Sequence, residues 1–464
     1  MLLSSIYNNK FKHIHFIGIG GISMSGLAEI LISEGYEVSG SDEKYSPIIE
    51  RLESKGARVY IGHNKENITN ADLIIYTDAI SNDNEELLEA NKRKIETINR
   101  GNFLGQLMKV YDKSVGISGT HGKSTTTGML SVILNNSSIN PTILLGGVLD
   151  DLEGTVKIGD NSCLVTEACE YKANILKFHP SIGIILNIEE DHLDYYRDLN
   201  HIIDTFTDFT KNIPKDGFLV INNDDDNCKS VINNSNCDVV TFGIKNNSDY
   251  LAKDITFTKE GFPKYKLLVN DHEYSVELKV MGVHNVYNSL AAIVTAHKCG
   301  VPLKEAIDNL KYYNGTHRRL EYKGSINNIK IIDDYAHHPT AIKSTLESIK
   351  KISPKKVWCV FQPHTYTRTK SLLEEFSNSF SKADKVIIPD IYPAREKDTG
   401  LIHSVDLVDK LKKKNVDTIY IKDFDEISSY LLNNCSDGDV VITMGAGDVY
   451  KIGDQLIKIN KVSA

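Results

Sequence analysis

One stretch constrains this chain more than any other. SVGISGTHGKSTTTGML at 114–130 runs an apolar strand straight into glycines, then a lysine and hydroxyls, then a helical pattern. A loop that cradles phosphate needs that order. Glycines let backbone N–H groups turn toward a polyphosphate at the helix N-terminus, where the dipole adds attraction. Gly119, Thr120, His121 and Gly122 form the candidate loop; Lys123 is placed to reach β- and γ-phosphates, and the Ser124 or Thr125 hydroxyl to hold Mg²⁺. The strict Walker spacing asks for glycine at 117, but Ile117 stands there, with glycines at 116 and 119 instead.

A second strand enters glycines at HIHFIGIG (13–20), followed by the helical ISMSGLAEILISEG and the short strand YEVSGSD (36–42). GIGGIS (18–23) matches the dinucleotide fingerprint at Gly18 and Gly20, followed by Gly21, with Ser23 at the third glycine position. Asp42 ends the next strand, where an acidic group can bond a ribose hydroxyl. NAD, another nucleotide or a tight structural turn all fit this signal. A third series of strands starts at NIKIIDDYAHHP (328–339) and continues through KVWCVFQP, KVIIPDIYP, DTIYIKD and DVVITMGAGD. Strands and helices alternating in this way predict an α/β protein with largely parallel sheets. Residues 253–280 alternate instead and read as an antiparallel, hairpin-like appendage on the middle unit. A chain of 464 residues accommodates about three domains. The restarts of the strand series put the boundaries at 1–112, 113–317 and 318–464. No repeat of solenoid period is present.

Composition narrows the function. With 53 Lys+Arg against 62 Asp+Glu the net charge is −9, and no basic block stands out, so nucleic acid is not an expected partner. Only nine of the cations are arginine, at 51, 58, 93, 100, 197, 318, 319, 368 and 395, so each is a candidate for a task that needs a forked donor. The seven cysteines are scattered, with no C-x-x-C pair, which speaks against a disulfide framework or zinc and suits a reducing cytosol. No apolar run approaches a membrane span, and MLLSSIYNNKFKH has no signal-peptide core. A cytoplasmic protein without membrane contact is expected.

Polar groups then collect at strand ends, where ligands of open α/β sheets bind. Glu167 ends CLVTEACE (163–170), and Asn187 ends IGIILN, followed by Asp191, His192 and Asp194. Glu167 with a loop hydroxyl would suffice for Mg²⁺, with His192 a further ligand or a holder of its water. HNVYNSLAAIVTA (284–296) puts Asn285 and Asn288 in a first helical turn, where they either meet an adenine edge or cap the helix. Arg318 and Arg319 of GTHRRLEY sit at a domain junction, well placed to meet a transferring phosphate. DDYAHHPTAI (333–342), FQPHTYTRT (361–369), DIYPAREKDTG (390–400) and MGAGD (444–448) end four strands with Tyr335, His337, His338, His364, Arg368 and Arg395 among their side chains. Four such ends on one sheet edge make a binding face.

The ordered set HFIGIGGISMSG, SGTHGKSTTT, EACE, NIEEDHLD, HNVYNSLAA, HRRLEY, DDYAHHPT, FQPHTYTRT and MGAGD resembles the Mur ligases essentially from end to end. DDYAHHP and FQPHTYTR point to the muramate-binding branch, and most closely to the enzymes that join L-alanine to UDP-N-acetylmuramate. The resemblance implies a Rossmann-like N-terminal domain for the UDP substrate, a central P-loop ATPase domain, and a Rossmann-like C-terminal domain for the amino acid. It implies ATP and Mg²⁺, a cytoplasmic role in peptidoglycan precursor synthesis, and domain closure during turnover. Carried over residue by residue, Gly18, Gly20, Gly21, Ser23 and Asp42 serve the UDP substrate. Gly119 to Thr125, Asn285, Asn288 and Arg319 serve ATP, and Ser124, Glu167 and His192 the metal. Tyr335, His337, His338 and Arg368 line the acyl and amino-acid site. Lys123, His192, Arg319 and His338 are the expected catalytic groups. Two departures stand out: IIDTFTDFT (202–210) lacks the lysine that several relatives carbamoylate, and Tyr171-Lys172 replaces a common Ser-Asp. The rival readings are a ligase that attaches a recycled tripeptide to the same substrate, an NAD-dependent dehydrogenase built on GIGGIS, and a P-loop motor or switch.

Overall fold

The computed structural model describes residues 11–149, 154–193, 195–394 and 396–463, so Asp194 and Arg395 lie outside the described residues. Residues 13–99 build a sheet of five strands: β1 (His13–Ile17), β2 (Glu37–Asp42), β3 (Arg58–Ile61), β4 (Leu73–Tyr76) and β5 (Glu96–Asn99). Their order is β3-β2-β1-β4-β5, every pair parallel. All five residues of β1 are buried, its two histidines included, each bonded to the Ser39 hydroxyl. Strand order reverses between β1 and β4, so a ligand crevice opens at their carboxyl ends, where Gly18 begins.

Seven more strands follow: β6 (Lys113–Ser118), β7 (Thr142–Leu149), β8 (Gly154–Lys157), β9 (Cys163–Glu167), β10 (Ile182–Ile185), β11 (Phe218–Asn222) and β12 (Asp238–Gly243). They run in the order β12-β11-β10-β6-β9-β7-β8, parallel except for the β7–β8 hairpin. β6 thus lies at the reversal point, with β9 and β10 on either side. Glycines seal this sheet against the first one. A Cβ on Gly26 would stand 2.7 Å from a Leu144 methyl and 2.8 Å from one of Val156. One on Gly105 would fall 1.8 Å from the Lys177 carbonyl oxygen.

The chain divides into two compact units, the first made of Met1–Glu189, Leu199–Asp249 and Ala291–Leu310. The second comprises Glu190–Asp198, Tyr250–Leu290 and Lys311–Ala464. In it β13 (Tyr250–Phe257), β14 (Pro263–Val269) and β15 (His272–Glu277) form the antiparallel meander read from the alternation at 253–280. Gly261 at its turn lies against Ile352 and Met281, and the Lys351 ammonium covers the Phe257 ring at 4.6 Å.

The C-terminal sheet contains β16 (Glu321–Ile326), β17 (Ile329–Asp334), β18 (Val357–Phe361), β19 (Lys385–Ile388), β20 (Thr418–Tyr420) and β21 (Val440–Met444). The order β16-β17-β21-β18-β19-β20 is parallel apart from the edge strand β16. Apolar clusters cover both faces, one around Phe361, Phe376 and Phe380, the other around Trp358, Ile387 and Val441. The carboxyl ends of β17, β18 and β21 therefore emerge together.

Candidate active site

The loop after β6 has the backbone that its glycines allow. Gly119 and Gly122 take φ of +132° and +87°, a region closed to most side chains. A Cβ on Gly119 would also come within 3.1 Å of the Leu186 nitrogen. Asn187, at the end of β10, brackets the loop from outside. Its carbonyl accepts from Thr120 N–H (3.1 Å) and its Oδ1 from His121 N–H (2.8 Å), while its amide donates to the His121 carbonyl (3.1 Å). Gly122 starts the helix Lys123–Asn135, and no side chain caps that start. The first-turn N–H groups are therefore presented as an anion seat.

The Lys123 ammonium donates to both carboxylate oxygens of Glu170 (3.0 and 2.9 Å) and to the Gly119 and Thr120 carbonyls. Burial is the largest influence and would lower its pKa, but the Glu170 charge and hydrogen bond, with Cys169 and Glu167, together outweigh it and raise it, so the lysine stays charged. Glu167 ends β9 and accepts the Gly146 N–H at 2.9 Å, and its carboxylate also acts on Lys123. Ser124 and Thr125 are buried in the first helical turn. These oxygens suit a hard divalent cation held beside phosphate.

The loop after β1 is held differently. Gly18 and Ile19 donate their N–H groups to the Ser41 carbonyl (2.8 and 3.0 Å), and Gly20 donates to Asp42 Oδ2 (2.9 Å). Asp42, expected near a nucleoside, thus holds the loop itself. Gly18 has φ +83°, and a Cβ there would lie 2.6 Å from the Thr77 methyl. Gly21 precedes the helix Ile22–Ser33, again without a side-chain cap. Arg100 Nη1 donates to Ser23 Oγ at 3.0 Å. Sequence reasoning missed this arginine: it is one of the nine, but 77 positions separate it from the serine it meets.

In the second unit, two arginines of HRRL part company. Arg318 pairs with Asp333 (Nε to Oδ2, 3.1 Å) and donates to the Gly445 carbonyl (2.6 Å), tying β16, β17 and β21 together. Arg319 sits between two residues in left-handed conformation, Arg318 (φ +61°) and Leu320 (φ +49°). Such backbone costs energy and clusters at functional sites. Both guanidinium groups stack on Tyr335, at 5.0 and 4.9 Å. Asp334 accepts the Leu320 and Ala336 N–H groups (2.7 Å each), and burial pushes its carboxyl up to about 6.

The remaining sequence candidates of this unit converge. Arg368 donates to Asp191 Oδ1 (3.1 Å) and to His364 Nδ1 (3.2 Å). His364 stacks on Tyr392, and its ring lies 5.7 Å from that of His337. Burial, with Arg368 adding to it, drives His337 well below the usual imidazole range and His364 down to about 4. Burial works to raise Asp191, yet His192 and Arg368 hold it far below the usual carboxylate range. His338 Nε2 lies 3.0 Å from the Glu190 carbonyl. A carbonyl only accepts, so Nε2 carries the proton and Nδ1 is the basic nitrogen of the neutral ring.

His192, expected on a metal with Ser124 and Glu167, belongs to this second unit, whereas the other two belong to the first. It takes φ +56°, and its N–H donates to Asp191 Oδ1 at 2.7 Å. Asn285 donates to the Met281 carbonyl (2.7 Å) and Asn288 to Asn285 Oδ1 (2.9 Å), both buried. These bonds engage a side-chain donor of each asparagine near the start of the helix His284–Lys298.

Comparison with known proteins agrees with this layout. The chain matches the Mur ligase family catalytic domain over residues 13–112, the Mur ligase middle domain over 117–296 and the Mur ligase glutamate ligase domain over 318–447. It is 50% identical over 464 residues to the UDP-N-acetylmuramate–L-alanine ligase of Acetivibrio thermocellus, covering 100% of this chain and 99% of the relative. The enzyme of that name from Clostridium tetani is 50% identical over 448 residues, 96% of this chain and 98% of its own. Among solved structures, UDP-N-acetylmuramate-alanine ligase MurC from Thermotoga maritima superposes with a TM-score of 0.80 at 28% identity, over 97% and 100% of the two chains. A murein peptide ligase from Psychrobacter arcticus gives 0.70 at 26%, over 96% and 98%. With three matched domains, mainly parallel sheets and half its residues identical along its full length, the chain belongs to the Mur ligase family.

Proposed function

We propose that this chain joins L-alanine to UDP-N-acetylmuramate with cleavage of ATP to ADP and phosphate, a step of peptidoglycan precursor synthesis in the cytoplasm. The observation that carries the reading is a phosphate loop with a charged, buried Lys123 in a chain half-identical, end to end, to alanine-adding relatives. In this reading residues 1–112 take the UDP substrate, 113–317 take ATP and 318–464 take the amino acid. The murein peptide ligase is the runner-up, at 26% identity. A dehydrogenase would leave the Lys123 loop without a task.

A carboxylate is a poor electrophile, so the chemistry runs in two transfers. A muramoyl carboxylate oxygen attacks the γ-phosphorus, the bond to the bridging oxygen breaks, and ADP leaves with that electron pair. The alanine amine then attacks the acyl carbon, and the tetrahedral adduct expels inorganic phosphate. Lys123 leaves Glu170 to meet the phosphate oxygens, and Arg319 is the fork assigned to the transferring phosphate. Tyr335, His337 and Arg368 orient the acyl group and the amino acid. His338, through Nδ1, or His192 takes the ammonium proton. Glu167 and the Ser124 or Thr125 hydroxyl would hold Mg²⁺, which when bound offsets phosphate charge.

The test is phosphate release by the purified protein with UDP-N-acetylmuramate, ATP and Mg²⁺, offering L-alanine or the recycled tripeptide. Turnover with alanine and none with tripeptide is expected. Preference for the tripeptide would overturn the assignment, and ATP hydrolysis indifferent to both would point to a switch.

A further inference from the structure

The mechanism leaves unused the most deeply buried acid of the first sheet. Glu86, at the start of the helix Glu85–Arg93, has no solvent exposure. Its Oε2 accepts the Ser41 hydroxyl at 2.5 Å and faces His63 Nδ1 at 3.4 Å and His15 Nε2 at 3.6 Å. Its Oε1 accepts the Asn67 amide at 2.6 Å and the Asn64 N–H at 3.3 Å. Burial opposes the charge, but the facing His15 imidazole and the hydrogen bonds from Ser41 and Asn67 together outweigh it and keep the carboxyl below its ordinary value.

Ser41 is where this network reaches the loop. Its single hydroxyl proton goes to Glu86, so the 2.9 Å contact with His63 Nδ1 must be donated by the imidazole. Its carbonyl accepts from Gly18 and Ile19, and the next residue, Asp42, accepts from Gly20. Three amides of the glycine loop therefore hang on two consecutive residues of β2, and Glu86 fixes the side chain of one. Such a loop keeps a single anion-ready shape only while that strand end stays still.

We infer that Glu86 and Ser41 are positioning residues for the glycine loop, setting its affinity for the pyrophosphate of the UDP substrate. The inference rests on the assignment of residues 1–112 to that substrate. It places the effect on one substrate alone, because neither residue touches the Lys123 loop or the Arg368 cluster.

The test compares the full chain with its Ser41→Ala, Ser41→Thr and Glu86→Gln variants. KM for UDP-N-acetylmuramate, KM for ATP and kcat are measured, and UDP binding is followed by calorimetry. Ser41→Ala leaves a buried carboxylate short of a donor, and its KM for the UDP substrate should rise about 10-fold. Its kcat and KM for ATP should hold within about twofold. Ser41→Thr, which keeps the hydroxyl, should restore most of the loss. Glu86→Gln keeps the shape and should move the same constant in the same direction, so the inference stays testable if Ser41→Ala folds poorly. Unchanged KM for the UDP substrate in both variants, or equal losses in both substrates, would overturn it. A wild-type protein that fails to bind UDP would instead overturn the substrate assignment.

Discussion

Two buried cation sites in this molecule are charged by opposite rules. At Lys123 both oxygens of Glu170 clasp the cation, and that charge, with Glu167 beyond it, helps to defeat desolvation. Around Arg368 the Asp191 carboxylate is taken by the guanidinium, and burial with the Arg368 charge drives the imidazoles beside it neutral. In the proposed reaction the first arrangement holds a positive charge ready for the triphosphate. The second keeps the His337 and His364 rings neutral, so that they add no repulsion to an incoming ammonium. Burial opposes the charge in both; at Lys123 the nearby carboxylates outweigh it, whereas at the two imidazoles the Arg368 charge adds to it.

That contrast can be broken at its strongest point first. Lys123→Ala should lower ATP-dependent ligation about 10³-fold or more, read as phosphate release. Near-normal turnover would remove the lysine from the nucleotide site. Next, Glu170→Gln leaves the ammonium buried without its counter-charge, and the ligand-free protein should lose about 3 kcal/mol of stability. A triphosphate should return part of that loss, so the rise in Tm on adding ATP should be larger in the variant than in wild type. Equal rises would show that Glu170 is not the charge that ATP replaces. The smallest effect concerns His364. With its pKa lowered to about 4 from 6.5, the folded state binds fewer protons than the unfolded chain in that window. Its contribution to stability therefore rises with pH from about 4 to 6.5 and is flat above. Asp334, raised to about 6, acts in the opposite sense over the same range, so wild type must be compared with His364→Gln. The difference between their urea unfolding free energies should change by about 1 kcal/mol between pH 4 and 7, allowing for partial exposure. A constant difference would mean that His364 is not held neutral by its surroundings.

The sheets and their polar ends were legible because each signal is local: an apolar run, then glycine or a charged group, then a helical period. The antiparallel meander was legible for the same reason, through its alternation. Partnerships were not. Glu170 lies in the quoted EACE, but only the packing of β9 beside β6 turns it toward Lys123. Asn187 was visible at a strand end, whereas its double clasp of His121 depends on the register of β10 against β6. Arg318 and Arg319 look alike in sequence. The left-handed turn, which no propensity signals for Arg or Leu, ties Arg318 to Asp333 of β17 while both guanidinium groups lie over Tyr335. Asp42 has the residue type and distance of a nucleoside contact, but that one of its oxygens takes the Gly20 N–H is visible only in the fold.

The glycine seam between the first two sheets bears on how relatives of this chain can exchange parts. Gly26 and Gly105 leave no room for even a methyl group against Leu144, Val156 and the Lys177 backbone. A recombination breakpoint near residue 112 would pair each half of that seam with a surface it was never fitted to. The sequence boundary is easy to see, yet the inheritable piece is the pair of sheets, and chimeras that keep both together are the ones that should fold.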